Sequence, residues 1–202
     1  MPTQTFDNLP IDKKNRIIDA ILDELGLHTY EHINIQNIIK DAKIPRGSFY
    51  QYFKDKDDLF AFFYDYTINI KYKYWDNILS PSLDIPFLER LKSIYLRGYK
   101  FSIDYPKFVK VGHRISESQT FRNDENYKKG IKMAIDLYEG FIKTDQEKGI
   151  IRKDIDARLL ATFITEFIQK VTLDELLNEG FNLNIIETKV NQLIDIIGKG
   201  IK

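Results

Sequence analysis

Residues Lys43 to Phe60 read KIPRGSFYQYFKDKDDLF. The stretch sets the rings of Phe49, Tyr50, Tyr52, Phe53 and Phe60 beside four cations, Lys43, Arg46, Lys54 and Lys56. A core helix would not carry so many cations next to its rings, and a solvated helix would not carry so many rings. Phe49, Tyr52 and Phe53 fall at i, i+3 and i+4, so at least two of them must pack inward. The opposite side then presents Arg46, Gly47, Tyr50 and Gln51. A guanidinium can pair with guanine and a side-chain amide with adenine, while hydroxyls and amides reach phosphates. Gly47 lacks a Cβ and lets the backbone approach a sugar–phosphate strand, which would offset its poor helix propensity. The chemistry that this set suits is contact with the major groove of a duplex.

The flanking sequence supplies elements that could hold such a face. Ile17, Ile18, Ile21, Leu22 and Leu25 follow a helical period, predicting a first helix from about Pro10 to Gly26 or His28. Asn34 is a good N-cap for a short second helix whose inner side is Ile35, Ile38, Ile39 and Ala42. Pro45 ends that helix and opens the third, so the pair has helix-turn-helix dimensions. Asp55 and Asp58 predict a capped fourth helix that continues through Phe63 and Tyr66 to about Leu79. Lys56 falls in its first turn, where the helix dipole disfavours a cation. Aimed at a phosphate, it would act together with the N–H groups of that turn; otherwise it is a solvated lysine. The break SPSLDIP (Ser80 to Pro86) follows. Helices are then expected over about Phe87–Asp104, Lys107–Ser118, Tyr127–Lys148, Asp156–Asn178 and Leu183–Ile197. No strand-like alternation of any length occurs, so the expected class is all-α with about nine helices.

Composition narrows the function further. The chain has 202 residues, 43% of them hydrophobic, enough for a substantial core. It has no cysteine, which excludes disulfides and thiolate metal sites. No apolar run reaches membrane-spanning length and the N-terminus lacks a signal-peptide core, so a cytoplasmic protein is expected. Formal net charge is zero, and any DNA contact must rest on local charge. From Lys40 to Lys56 five basic residues face only Asp41 and Asp55. Of the three histidines, His28 and His32 have metal-binding i, i+4 spacing but no third ligand. No nucleophile elbow, phosphate loop or HExxH motif is present. An enzyme is therefore not expected, nor a cofactor or a metal. The rival is a helical protein-interaction module whose basic, aromatic face binds a partner helix rather than DNA.

RIIDAILDELGLHTYEHINIQNIIKDAKIPRGSFYQYFKDKDDLF, about 45 residues, closely resembles the DNA-binding region of the tetracycline-repressor (TetR) family of bacterial transcriptional regulators. Gly47-Ser48-Phe49-Tyr50-Gln51-Tyr52-Phe53-Lys54 carries most of the likeness. Departures are Thr29 for a glycine before the aromatic Tyr30, Ile39 for alanine, and Lys43 for the turn glycine. The resemblance implies that Asn34, Arg46, Gly47, Ser48, Tyr50, Tyr52 and Lys56 occupy DNA-touching positions, with Gln36 and Gln51 as further base-contact candidates. It implies an N-terminal helix-turn-helix domain (residues 1–55), with the start of the fourth helix as connector. A helical regulatory and dimerisation domain (56–202) would follow. It further implies a homodimer, a small-molecule effector and, as the family's common mode, repression. Tyr95, Tyr99, His113, Tyr138 and Phe141 are effector-pocket candidates, although His113 also suits a core position. Phe163, Phe167, Val171, Val190, Leu193 and Ile197 lie on apolar stripes that suit a dimer interface or their own domain's core.

Overall fold

Ile17, Ile21, Leu25, Ile38, Phe49, Phe53 and Leu59 are all fully buried, and the helices that carry them form around that shared interior. A computed structural model describes residues 3–178 and 183–201. Among the described residues there is no strand, and nine helices have seven or more residues. They are α1 (Ile11–Leu27), α2 (Ile35–Asp41), α3 (Arg46–Tyr52), α4 (Lys56–Trp75) and α5 (Phe87–Asp104). After them come α6 (Pro106–Glu117), α7 (Glu125–Glu147), α8 (Ala157–Asn178) and α9 (Leu183–Ile201). Shorter turns lie at Gln4–Asp7, Tyr30–His32, Asp76–Leu79 and Gln119–Asn123.

The chain's punctuation works as its chemistry dictates. Pro106 occupies the first turn of α6, where its missing N–H is not needed. Asp55 Oδ1 accepts from the Asp58 amide at 2.8 Å, capping α4. At the end of α7, Gly149 takes φ +73°, the Ile150 amide donates to Asp145 O at 2.8 Å and the Gly149 amide to Gln146 O at 3.2 Å. That is a Schellman ending, which needs a left-handed residue at the glycine. The fourth helix differs from expectation: it is α-helical only to Trp75 and tightens to a 3-10 turn over Asp76–Leu79. Arg97 caps that end, its guanidinium donating to the carbonyl of Trp75 at 3.1 Å.

The helices group into two compact units. Unit 1 is Met1–Tyr72 with Tyr105–Arg122, and unit 2 is Lys73–Asp104 with Asn123–Lys202. In unit 1, α6 lies along α1. Val111 is fully buried, and Phe108 stacks on Phe63 at 5.9 Å. Lys107 closes the edge, 2.6 Å from Asp19 and 2.7 Å from Asp23. In unit 2, α7 packs on α8 and α5 on α9 around Phe87, Leu91, Tyr99, Ile142 and Ile164.

Candidate nucleic-acid interface

Two short helices have little intrinsic stability, so the geometry of α2 and α3 depends on what holds their ends. Asn34 Oδ1 accepts from the Gln36 amide at 2.9 Å and caps α2. Glu24, buried on α1, accepts from the Asn34 amide at 2.8 Å and from Asn37 Nδ2 at 3.1 Å, fixing the start of α2. At its other end the Ile44 amide donates to Ile39 O at 3.2 Å and the Lys43 amide to Lys40 O at 3.1 Å. This second Schellman ending puts Lys43 in the left-handed region at φ 51°. A lysine therefore performs the turn that glycine would make without strain. Arg16 Nε also donates to Ala42 O at 2.8 Å.

The turn delivers α3 with its rings inward. Phe49 and Phe53 are fully buried and Tyr52 is 3% exposed, so all three aromatics of the i, i+3, i+4 set form the anchor. Arg46, Gly47, Tyr50 and Gln51 are exposed on the other side, and Ser48 is half-buried. Asn34 and Gln36 are exposed at the start of α2. A Cβ added at Gly47 would meet nothing within 4 Å, and its φ is not positive, so neither packing nor backbone conformation explains this glycine.

Lys56 is half-buried. Its ammonium donates to Tyr30 O at 2.8 Å and stands 4.3 Å from the centre of the Tyr30 ring. The Tyr30 hydroxyl in turn donates to the Asp57 carboxylate, and its ring meets Phe60 edge-on at 4.6 Å. The lysine is thus positioned rather than loose. Next to Tyr30, Glu31 accepts from the Ser118 hydroxyl at 2.8 Å. The Thr120 hydroxyl, its own amide and Ser118 hold the Glu31 carboxyl down at about 2.

Sequence reasoning missed the N-terminal turn. Phe6 is fully buried among Tyr52, Phe53 and Phe62, with ring centres at 5.8, 5.1 and 5.1 Å. The Thr3 amide donates to Tyr52 O at 3.1 Å and the Thr3 hydroxyl to Gln51 O at 2.5 Å. It also missed Glu24 and Tyr30. The only available signal was a phenylalanine isolated in a polar segment.

The effector candidates separate. Tyr95, Tyr99, Tyr138 and Phe141 belong to unit 2, whereas His113 belongs to unit 1. Tyr95, Tyr99 and Phe141 are buried. The Tyr99 hydroxyl is enclosed without a hydrogen-bond partner, and burial raises its pKa. Tyr138 is half-buried by area, yet its hydroxyl is desolvated and is pushed up to about 12. Phe141 lines a cavity of about 570 Å³ with Leu83, Ile85 and Arg90. The Arg90 guanidinium lies 4.0 Å from the Phe141 ring centre and donates to the carbonyls of Ile78, Ser80 and Leu83.

On α8, Phe163 and Phe167 are exposed and stacked at 5.4 Å, with Leu159 exposed one turn earlier, while Ile164 turns inward. On α9, Val190 and Ile197 are buried, Leu193 is half-buried and Ile196 is exposed. Val171 lies in α8, but its side chain falls outside the described residues. No helix among the described residues is long and apolar enough to cross a membrane, and no cluster among them could hold a metal ion.

Residues 17–61 match the family model described as bacterial regulatory proteins, tetR family. No curated protein matches the sequence. Among solved structures, a TetR family transcriptional regulator from Chloroflexus aurantiacus J-10-FL shares 25% identity at a TM-score of 0.73, over 100% of this chain and 98% of that one. The transcriptional regulator FadR from Bacillus subtilis, solved with stearoyl-CoA, has 18% identity and a TM-score of 0.73, covering 93% and 99%. The SmeT–triclosan complex has 16% identity and a TM-score of 0.71, covering 91% and 90%.

Proposed function

From the premise that this chain belongs to the TetR family of bacterial transcriptional regulators and binds DNA, we propose that it is a repressor released from its operator by a small molecule. The observation that carries the reading is the two-sided α3: three buried rings on one side, and on the other an exposed Arg46, Gly47, Tyr50 and Gln51 with open space above the glycine. In this reading Arg46, Gln51 and Gln36 address base edges, and Asn34, Ser48, Tyr50 and Lys56 address the backbone. Tyr52 has an anchored ring, so its share in contact rests on the hydroxyl. Residues 1–55 serve as the reading head and 56–202 as the regulatory part.

Two copies would pair through α8 and α9, where Phe163 and Phe167 offer an apolar face and Leu193 lies half-buried. Val171, Val190 and Ile197 complete the proposed interface or support it from behind. A dimer would let two α3 helices reach half-sites about one DNA turn apart. The effector would sit in unit 2 near Tyr95, Tyr99, Tyr138 and Phe141; His113 belongs to unit 1 and is not part of that proposed site. An enclosed, unpartnered Tyr99 hydroxyl supports a mainly apolar ligand with one polar group. Relatives of the same fold have been solved with stearoyl-CoA and with triclosan.

The test is to select duplexes from a random library with the purified protein and to measure affinity against salt. Arg46→Ala should weaken the selected duplex by ~1–3 kcal/mol and relax choice at one base pair. A face that binds a partner helix instead would give no selected sequence and no steep salt slope.

A further inference from the structure

Thr3 to Leu9, TQTFDNL, is polar apart from Phe6 and Leu9 and shows no helical period, yet it is built into the reading head. α3 has only seven residues, and its last carbonyls have no later helical amide to accept from. Two of them, on Gln51 and Tyr52, are met by the Thr3 hydroxyl and the Thr3 amide. Phe6 fills the space beneath, touching Tyr52 and Phe53 at the end of α3 and Phe62 on α4. Lys14 of α1 closes the back, with its ammonium 5.1 Å from the Phe6 ring centre and 3.5 Å from Asp7. One short turn therefore touches α1, α3 and α4 at once.

We propose that Thr3 and Phe6 are positioning residues for operator recognition: they fix where the C-terminal end of α3 lies and so how its outer face enters the groove. The physical ground is leverage. A two-turn helix is held at its start by the Lys43 turn and Pro45. Its direction is then set by whatever restrains its other end. Base contacts need hydrogen-bond geometry at several side chains together, whereas phosphate attraction tolerates small rotations. Loosening this clasp should therefore cost sequence-specific binding far more than general DNA binding. The proposal rests on the reading of α3 as the recognition helix.

The experiment uses the full chain and four variants: Thr3→Val, Thr3→Ser, Phe6→Leu and, as control, Arg46→Ala. Thr3→Val keeps the shape and the amide but removes the donor; Thr3→Ser restores it. Fluorescence anisotropy reads binding to a duplex selected by the parent and to a mixed-sequence duplex, well below each variant's melting temperature. Thr3→Val and Phe6→Leu are expected to weaken the selected duplex about three- to tenfold, a loss on the scale of one hydrogen bond. Mixed-sequence binding and the salt slope should stay as in the parent, and Thr3→Ser should bind as the parent does. Equal weakening on both duplexes, or none on either, overturns the proposal. If Arg46→Ala weakens the selected duplex and the Thr3 and Phe6 variants do not, the clasp alone fails. If Arg46→Ala has no effect, the reading of α3 itself is wrong and the clasp falls with it.

Discussion

Gly47→Ala separates what the fold needs from what DNA needs. The residue lies in the first turn of α3 with exposed backbone, its φ is not positive, and an added Cβ meets nothing within 4 Å. The substitution is therefore free of steric cost in the isolated protein. In a helix interior alanine exceeds glycine by about 0.8–1.0 kcal/mol. At this terminal position we take about half, roughly 0.5 kcal/mol of added stability. For a chain of this size that raises the melting temperature by about 1–2 °C. On DNA the same methyl would stand between the backbone and a sugar–phosphate strand, at a place where the glycine allows closer approach. A lost charge-assisted contact costs on the order of 1.5–3 kcal/mol, or about ten- to a hundredfold in affinity. The two observables must move in opposite directions: thermal unfolding without DNA goes up, and affinity for the selected duplex goes down. A variant that melts higher and binds as well as the parent would refute close backbone approach at Gly47.

Four further outcomes are expected. Lys43→Gly should stabilise the protein by about 0.5–1 kcal/mol, since the φ of 51° is strained for a side chain; chemical unfolding that shows a loss would contradict this. Glu31 has a folded-state pKa of about 2 against an ordinary 4.5, so its contribution is present above about 4.5 and is lost as pH falls towards 2. The melting-temperature advantage of the parent over Glu31→Gln should accordingly shrink between pH 5 and 3, and a gap that does not change with pH would count against it. Phe167→Asp should yield monomers by light scattering, because a charge would enter the exposed Phe163–Phe167 face; a parent that is itself a stable micromolar monomer removes the proposed interface. An inducer must bind less tightly in the presence of saturating operator, by the factor with which it weakens DNA binding. Shifting a population from 1:99 to 99:1 takes about 5.5 kcal/mol, and calorimetry that finds equal affinities with and without operator would exclude the coupling.

Much of the fold was legible where single residues have strong local rules. Phe87–Asp104 is bounded by Pro86 before it and Tyr105-Pro106 after it, and α5 has those limits. Asn34 and Asp55 were readable as caps because a short side-chain acceptor before an apolar run has little else to do, and both make the bond. What was not legible depends on partners distant in sequence. Glu24 reads in the sequence like any surface glutamate of an amphipathic helix, and the Asn34 amide and the Asn37 side chain that it accepts from account for its burial. Phe6 has no periodic neighbours, and its pocket is assembled from Tyr52, Phe53 and Phe62. On α4 the buried Leu59, Phe60, Phe62, Phe63 and Ile70 spread around the helix instead of forming one stripe, so the pattern gave no single face, and the expected end at about Leu79 overran the α-helix, which stops at Trp75. The candidate DNA face was readable from α3 itself, but Tyr52 shows the limit: its spacing puts it with the inward set while the resemblance implies DNA contact, and the ring belongs to the anchor.

The unit that contains α3 is stitched from two stretches of chain, Met1–Tyr72 and Tyr105–Arg122, and this has a consequence during translation. Phe108 and Val111, which complete its interior, are made after the 32 residues Lys73–Asp104 of the other unit. When Tyr72 leaves the ribosome, the surface of α1 that α6 will cover is still bare. Some fifty residues separate Tyr72 from Arg122, and at about 5–20 residues per second that takes roughly three to ten seconds. For that interval the nascent chain must carry Phe63 and Tyr66 without the Phe108 ring they stack on. The unit that holds the proposed reading head begins first but is not finished first, and a message truncated near codon 72 should yield an aggregating fragment rather than a small, autonomously folded one.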